Sequence, residues 1–301
     1  MPTTIAFTKR FDFSELPKDW RVSRVSVDWE GQPLALIEKG KAPYPGDDAS
    51  SDAKRFWFTS PPKARHLVHW DKTSSHTLML EKSTGLFSGP VQPFDHGWLL
   101  SGGRNGRGEI YDREGRFLNS LALGTGIEDV QTTSGGMIWV SYSDEGVYRD
   151  GLGSQQGLLC FSSSGDQLFK YFDFAEENHL PHIDDCYAMN VVNENEIWLS
   201  YYSDFPLVCI RNFQLHQTWK DFGCISKSFG VIGETVLFPK CYTPEGGSQL
   251  LRCTLTEAAQ SELLEAVDGE GRKISGQFKA AARGSRFYLW TENALYQKAS
   301  S

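Results

Sequence analysis

The chain has 301 residues, 40% of them hydrophobic and 13% aromatic, which is enough apolar material for a sizeable core. Its 38 acidic and 30 basic residues give a formal net charge of −8. This balance argues against a nucleic-acid-binding protein and against binding to anionic lipid, because both depend on a basic patch. It permits a basic protein partner.

The N-terminus has no basic segment followed by an apolar run, so it does not resemble a secretory signal. No segment reaches the ~20 apolar residues that a membrane helix needs. The six cysteines include no C-x-x-C pair and lie in apolar stretches, which favours buried free thiols over disulfides. We therefore expect a cytoplasmic protein that does not contact a membrane.

The chain begins with a strand that has no partner nearby in the sequence. Its alternating apolar side chains are Ile5, Phe7, Phe11 and Phe13. Because side chains alternate across a strand, this spacing predicts that all four share one face. Further on, residues 40–53 are rich in Pro, Gly, Ser and Asp and predict an inserted loop.

Two short patterns then recur along the chain. The first is an apolar strand after a turn, as in residues 97–101, 137–141 and 196–200. The second is a strand, a polar turn and another strand, with the anchor residues Trp70, Tyr111, Phe161, Ile210, Cys253 and Tyr296. The anchors lie about 45 residues apart on average, within the roughly 40–50 residues of known propeller repeats.

These repeats predict an all-β fold, a six-bladed β-propeller in which the N-terminal strand closes the ring by pairing with the last blade. We expect one domain over residues 1–301. The blades are placed at roughly 20–81, 88–122, 126–174, 183–222, 224–267 and 275–298, the last completed by residues 4–13. We expect Trp98, Trp139 and Trp198 to occupy one recurring strand position and to pack between blades. Residues 256–267 fit either a short helix capped by Thr256 or an outer strand.

Residues 126–148 enter a strand through an Asp, make a Gly-rich turn and continue with an Ile-Trp pair and a later Gly-Val. This segment resembles the propeller repeat of bacterial two-component sensor regions, and residues 182–203 are a looser copy. The resemblance covers two of the six expected blades. It implies a propeller fold, and it adds a small-ligand sensor to the functions to be considered.

Asp129 and Asp185 are placed just before or at the innermost strands of the third and fourth blades, near Tyr142 and Tyr201. Such positions face the central channel or one of its mouths. The two carboxylates are therefore expected either to bind a cation or basic ligand, or to cap backbone N–H groups within their own blades.

Two other groups of residues suggest ligand binding. Arg104 and Arg107 lie on a Gly-rich turn, where they would either clamp a phosphate or carboxylate or form a solvated hairpin tip. His179, His182 and Asp184 are candidate ligands for a divalent cation. They lack the helical H-E-x-x-H spacing, so ordinary loop polarity is the competing interpretation.

No G-x-S-x-G motif or other catalytic spacing stands out. The leading functional hypothesis is therefore a non-catalytic cytosolic binding propeller without a cofactor. It would bind a protein partner, and a basic partner would be neutralised as by an immunity or antitoxin-like protein. The alternatives are a metal-dependent hydrolase or lactonase with a divalent cation in the central channel, and a small-ligand sensor domain.

Overall fold

The computed structural model describes residues 3–40, 50, 64–70, 74–81, 89–102, 106–149, 153–220, 222–223, 226–240, 249–256, 260–276 and 278–299. The residues of the expected loop at 40–53 lie almost entirely outside this set. Arg104, Cys224 and Cys241 lie outside it as well.

The described residues form twenty-four strands. In chain order they are β1 (Thr3–Asp12), β2 (Trp20–Val27), β3 (Pro33–Lys39), β4 (Ala64–Trp70), β5 (Ser75–Leu80), β6 (Val91–Phe94), β7 (Gly97–Gly102), β8 (Arg107–Tyr111), β9 (Phe117–Ala122), β10 (Ile127–Thr132), β11 (Ile138–Tyr142), β12 (Leu158–Phe161), β13 (Gln167–Lys170), β14 (Asp185–Asn193), β15 (Glu196–Tyr202), β16 (Leu207–Arg211), β17 (Gln214–Trp219), β18 (Gly230–Ile232), β19 (Thr235–Pro239), β20 (Gln249–Thr254), β21 (Gln260–Val267), β22 (Lys279–Arg283), β23 (Arg286–Trp290) and β24 (Ala294–Lys298).

Helices are few. The α-helices described are Asp144–Val147 and Tyr171–Asn178, and the 3-10 helices are Phe13–Glu15 and Ser154–Gln156. The helix at Tyr171–Asn178 follows β13 and begins within the third predicted blade. Among the described residues, no helix is both long enough and apolar enough to span a bilayer.

Four sheets each contain four consecutive antiparallel strands: β2–β5, β6–β9, β10–β13 and β14–β17. A fifth sheet has eight strands in the order β18-β19-β20-β21-β1-β24-β23-β22. The first strands of the four-stranded sheets contact one another in turn, from β2 to β6, β10 and β14. β22, the edge strand of the eight-stranded sheet and the first strand of its β22–β24 part, contacts both β14 and β2. This closed ring of first strands gives the all-β, propeller-like arrangement that the repeats predict. The described strands form five sheets, however, where the sequence predicted six separate blades.

The N-terminal strand lies inside the eight-stranded sheet, between β21 and β24. β1 pairs antiparallel with β24, with Phe7 opposite Lys298, and this predicted pairing is confirmed. β1 also pairs parallel with β21, with Ile5 opposite Ala266. β1 has a partner on both sides, so it joins β18–β21 and β22–β24 into one sheet. Neither β21 nor β24 is left with an open edge on that side.

A β-bulge in β1 corrects the prediction that its apolar side chains share one face. The register against β24 shifts between Lys9 and Phe11. Phe7 packs with Phe287 and the core between β20–β21 and β22–β23. Phe11 instead packs with Trp70, in the core shared with β2–β4. An extra residue in one strand reverses the alternation beyond it, so β1 serves two cores.

The core lies between neighbouring sheets, and tryptophan side chains pack there. Trp139 packs against residues of the β14–β17 sheet, and Trp198 packs against the sheet that follows. Trp98 occupies a different position: it faces back towards His69, with a ring separation of 5.5 Å, while its neighbour Leu99 faces forward. The assignment of all three tryptophans to one strand position is therefore wrong. Trp98 is shifted by one residue relative to Trp139 and Trp198, and because side chains alternate across a strand it lies on the opposite face.

Two further expectations are settled. Residues 260–267 form β21, the outer strand and not a helix. The described cysteines, Cys160, Cys186, Cys209 and Cys253, are buried free thiols, as predicted.

Candidate functional site

A pocket of about 340 Å³ lies against the first strands of the sheets. We call it the channel-mouth pocket. Its walls come from β2, β10 and β22 and from Ser226–Ser228, the segment that leads into β18. Apolar side chains including Phe278 and Trp290 form part of the wall. Several polar side chains also line it, and such a mixture is the usual composition of a small-molecule site.

Asp129 supplies the carboxyl group of the pocket. It lies on β10 next to a register shift, directly opposite Ser141. Its Oδ1 is 3.2 Å from Nη2 of Arg24, and Nε2 of Gln131 donates to its Oδ2 at 3.1 Å. Burial raises the pKa of the Asp129 carboxyl above its ordinary 3.8, and the Arg24 guanidinium limits the rise. Loss of hydration therefore dominates over the ion pair at this site.

Two amines also line the pocket. Lys279, the first residue of β22, places Nζ 4.7 Å from the centroid of the Trp290 ring. Burial lowers the pKa of the Lys279 amine below 10.5, and the charge of Arg24 lowers it further. Lys227 contacts Glu128 through an Nζ–Oε1 distance of 3.1 Å. The pocket is thus lined by three basic side chains and one carboxyl group.

Below these groups, polar side chains bond the first strands of different sheets together. Gln131 of β10 donates from Nε2 to the Met189 carbonyl at 3.0 Å, and its Oε1 accepts from the Val191 amide at 2.9 Å. Asn190 of β14 accepts from the Gly284 amide at 2.7 Å. These bonds satisfy backbone groups at the ring axis that no ladder within a sheet reaches.

Arg283 crosses the ring at the end of β22. The side chain is 3% exposed. It donates from Nη2 to the Thr132 carbonyl at 2.6 Å and from Nη1 to Oε1 of Gln92 at 3.3 Å. Both partners are neutral, and burial lowers the pKa of Arg283 to about 10. The floor of the channel therefore carries a buried positive charge.

Asp185 does not occupy the position equivalent to Asp129. Asp129 lies opposite Ser141 on β11, and the matching residue of β14, opposite Ser200 on β15, is Ala188. Asp185 instead lies opposite Tyr202. Its Oδ1 is buried without a hydrogen-bond partner among the described residues. Burial raises the pKa of Asp185, and Lys227 opposes that rise. The two carboxylates are both near the mouth, but only Asp129 lines the pocket.

Tyr142 and Tyr201 are fully buried. The Tyr142 hydroxyl donates to the Leu123 carbonyl, and the Tyr201 hydroxyl donates to the Pro181 carbonyl at 3.0 Å. Both tyrosines therefore bond the backbone and present no surface to a ligand outside the sheet.

The remaining predicted residues lie elsewhere. Arg107 is exposed on β8 and does not line the pocket. His179 ends a helix in the left-handed conformation, with φ 54°. His182 places Nε2 2.5 Å from Oε1 of Glu176, while Asp184 accepts hydrogen bonds from Tyr148 and Ser203. Within the part of the chain that is described, no three His, Cys, Asp or Glu side chains converge as metal ligands.

The sequence analysis missed Arg24, Lys227, Lys279 and Arg283. One signal was present: Gln131 and Asn190 are polar residues inside apolar strands, each opposite a tryptophan of the next strand. A polar group at that point needs a partner, which is found across the ring. The basic residues have no such local signal.

Comparisons with known proteins give a partial match to one family and a similarity of fold. The model of the YxzG family matches residues 158–298, which is less than half of the chain. No curated protein matches. Among solved structures, a selenomethionine-substituted virginiamycin B lyase from Staphylococcus aureus aligns with a TM-score of 0.51 at 12% identity, covering 97% of this chain and 98% of that one.

Two further structures align similarly. A streptogramin B lyase gives a TM-score of 0.52 at 9% identity, covering 97% of this chain and 95% of that one. Kuenenia stuttgartiensis hydrazine synthase gives 0.51 at 8% identity, covering 91% and 75%. At these identities the similarity shows the propeller-like fold.

These neighbours also correct the leading functional hypothesis. The solved chains that share the fold are named as lyases and a synthase, which are enzymes. The expectation of a non-catalytic, immunity-like binding protein is wrong on this comparison, and the enzyme alternative is favoured over it. The absence of a recognisable motif was a weak basis for excluding catalysis, because propeller sites are assembled from separate blades.

Proposed function

We propose that the protein is an enzyme that transfers protons to and from a small carboxylate in the channel-mouth pocket, and that the reaction is an elimination. One observation carries the proposal: the carboxyl group of Asp129 and the amine of Lys279 line the same pocket as the Arg24 guanidinium, which lies 3.2 Å from Asp129. Burial raises the pKa of the carboxyl group and lowers the pKa of the amine. General acid–base catalysis is most efficient when both pKa values approach the operating pH, and opposite shifts of this kind are typical of active sites.

The charge of the pocket selects the substrate. Arg24, Lys227 and Lys279 face a pocket in which Asp129 is the one acidic lining residue, and Arg283 adds a buried positive charge behind Gln92. A planar guanidinium such as Arg24 binds a carboxylate through two parallel hydrogen bonds. The apolar wall suits the hydrocarbon part of an organic acid.

The proposed step is balanced with the groups present. The neutral amine of Lys279 removes the proton next to the substrate carboxylate, and that electron pair forms a carbon–carbon double bond. The bond from the β-carbon to a leaving oxygen breaks, and the oxygen takes a proton from the Asp129 carboxyl group. Arg24 stabilises the negative charge that develops on the substrate carboxylate. The reaction as proposed needs no cofactor.

Two wider features support the proposal. Two of the fold neighbours are named as lyases, the class of enzyme to which an elimination would belong. We further propose that the eight-stranded sheet is two blades joined by β1, which makes a six-bladed ring with the pocket on its axis. The assignment of the third and fourth blades to the two-component-regulator repeat stays a prediction. The cytoplasmic location stays a prediction as well.

The test is proton exchange followed by NMR. The wild-type protein is incubated in D₂O with β-hydroxy and β-acyloxy carboxylates, and loss of the α-proton and appearance of an alkene are recorded. Lys279→Met is expected to abolish both signals, and Asp129→Asn to slow alkene formation more than α-proton exchange. Lys273→Met is the matched control, because Lys273 is exposed and paired with Glu265 at 2.6 Å, away from the pocket. Exchange that is equal in wild type and Lys279→Met would contradict the proposal.

A further inference from the structure

Lys227 lines the channel-mouth pocket and also lies over an aromatic ring of β14. Its Nζ, besides lining the pocket, lies 5.6 Å from the centroid of the Tyr187 ring. Tyr187 stacks on Phe205, with centroids 6.1 Å apart and planes 26° apart. Phe205 in turn meets Tyr202 edge-on at 5.3 Å. We call these three side chains the aromatic rim.

The rim is only partly buried. Tyr202 is 46% exposed, and Tyr187 and Phe205 are half-buried. Aromatic side chains are the largest source of apolar contact available to a protein, and a folded chain normally covers them. Three neighbouring rings left partly open beside a pocket therefore form an apolar surface that a ligand can cover.

The backbone that presents the rim is strained. Asp204 and Phe205 have φ values of +58° and +47°, in the left-handed region that bulky side chains avoid. The Phe205 carbonyl accepts from the Gly223 amide at 3.2 Å, which holds the turn against the segment leading towards β18. Strain of this kind persists where surrounding structure fixes it, and it clusters at ligand sites.

We propose that the aromatic rim binds a flat, aromatic ring of the substrate, so that the substrate class is an aryl-bearing carboxylate. This inference rests on the proposed function, since the carboxylate is held by the basic groups of the pocket while the ring packs against the exposed parts of Phe205 and Tyr202. The ammonium group of Lys227 sits where these two parts of the substrate meet. Ring stacking supplies the selectivity for aryl over alkyl acids.

The test is calorimetric titration with acetate, cyclohexylacetate and phenylacetate. Phenylacetate is expected to bind the wild-type protein more tightly than cyclohexylacetate, which matches it in bulk without an aromatic face. Phe205→Leu is expected to weaken phenylacetate roughly fivefold and to leave acetate unchanged. Tyr187→Leu is a second variant, on β14. Phe172→Leu is the control, because Phe172 is 41% exposed and packs on His182 outside the rim.

The outcomes separate this inference from the proposed function. If acetate binds but phenylacetate is no tighter than cyclohexylacetate, or is unaffected by Phe205→Leu and Tyr187→Leu, the ring site is overturned and the carboxylate site stands. If no carboxylate binds, the proposed function fails, and benzyl alcohol then tests the rim alone. Weakening of benzyl alcohol by Phe205→Leu supports the ring site, and absence of its binding overturns it.

Discussion

Arg283 reaches across the ring to the Thr132 carbonyl, with an Nη2–O distance of 2.6 Å that joins β22 to β10. The same guanidinium donates to Gln92 on β6, so one side chain connects the first strands of three sheets. Strands that share no ladder are held together here by a single buried cation. Replacing it should therefore weaken the ring as a whole and not one blade.

We expect Arg283→Ala to lower the free energy of unfolding by about 3 kcal/mol, because it leaves the Thr132 carbonyl and the Gln92 amide oxygen without donors. Arg283→Met should cost less, since it fills the space while removing a buried charge. Urea unfolding measures both. Arg272→Ala is the control, with a side chain 69% exposed and paired on the surface with Asp268. Equal losses in the Ala and Met variants would contradict the charge argument.

Ligand binding should be linked to proton uptake at Asp129. In the free protein the Arg24 guanidinium holds the pKa of Asp129 down against the larger effect of burial. A substrate carboxylate that takes over Arg24 removes that restraint, so the pKa of Asp129 rises further and the group binds a proton. Titration of phenylacetate in buffers of different ionisation enthalpy measures this uptake, and Asp129→Asn should abolish it.

The rate of the proposed reaction should follow a bell-shaped pH profile. Lys279 acts as a base only when neutral, and its pKa lies below 10.5, while Asp129 acts as an acid only when protonated, with a pKa above 3.8. The active form is then most populated between the two values. Asp129→Glu should shift one limb of the profile of kcat/KM. A profile with unchanged limbs in that variant would exclude Asp129 as the acid.

Buried thiols should make the protein less stable at alkaline pH. Burial raises the pKa of Cys160 from 9.0 to about 12, and the side chain has no exposed surface. Above pH 9 the unfolded chain loses this proton while the folded chain keeps it, so stability present below pH 9 falls as the pH rises towards 12. The slope is about 1.4 kcal/mol per pH unit for one thiol.

Chemical unfolding at pH 8.5, 9.5 and 10.5 tests this linkage. Cys160→Ala should make the unfolding free energy depend less steeply on pH, by the contribution of one ionising thiol. This holds whatever the substitution does to stability at pH 8.5. An unchanged slope in that variant would contradict the expectation.

The sequence predicted the features that depend on local pattern. The alternation in β1 indicated a strand, and an unpaired strand at each end of a repeat protein indicated closure, which the pairing with β24 confirms. The sequence did not predict the parallel pairing with β21, because apolar alternation does not specify a partner. A one-residue offset also misplaced Trp98 relative to Trp139.

The site was harder to predict for a different reason. Asp129 stood out because it occurs in a recognisable repeat. Arg24, Lys227 and Lys279 are far apart in the chain, and each has ordinary neighbours. They meet only because β2, β22 and the segment before β18 line the same pocket. Convergence of this kind follows from ring closure, and no spacing within one blade encodes it.

Substitutions at two glycines distinguish the cost of a left-handed backbone conformation from the cost of a steric clash. Gly126, at the entrance to β10, has φ +66°, and an added Cβ would lie 2.2 Å from the Gly146 nitrogen. Gly271 has φ +78° with nothing within 4 Å. Gly271→Ala should cost about 1 kcal/mol, the penalty of the left-handed conformation alone. Gly126→Ala should cost at least about 3 kcal/mol, because the backbone must also move. Similar melting temperatures for the two variants would show that the contact is absent.

Closure of the ring by β1 is tested at Phe7. The side chain is fully buried and packs on Phe287 with centroids 6.3 Å apart, while its neighbour Thr8 is exposed on the same strand. Phe7→Ala should cost about 3–5 kcal/mol, and Thr8→Ala less than about 0.5 kcal/mol. Because β1 has ladders with both β21 and β24, amide hydrogen exchange should accelerate in those two strands first, before β14–β17 are affected. Uniform acceleration across all sheets would instead mean that the ring unfolds as one unit and that β1 is no weaker than the rest.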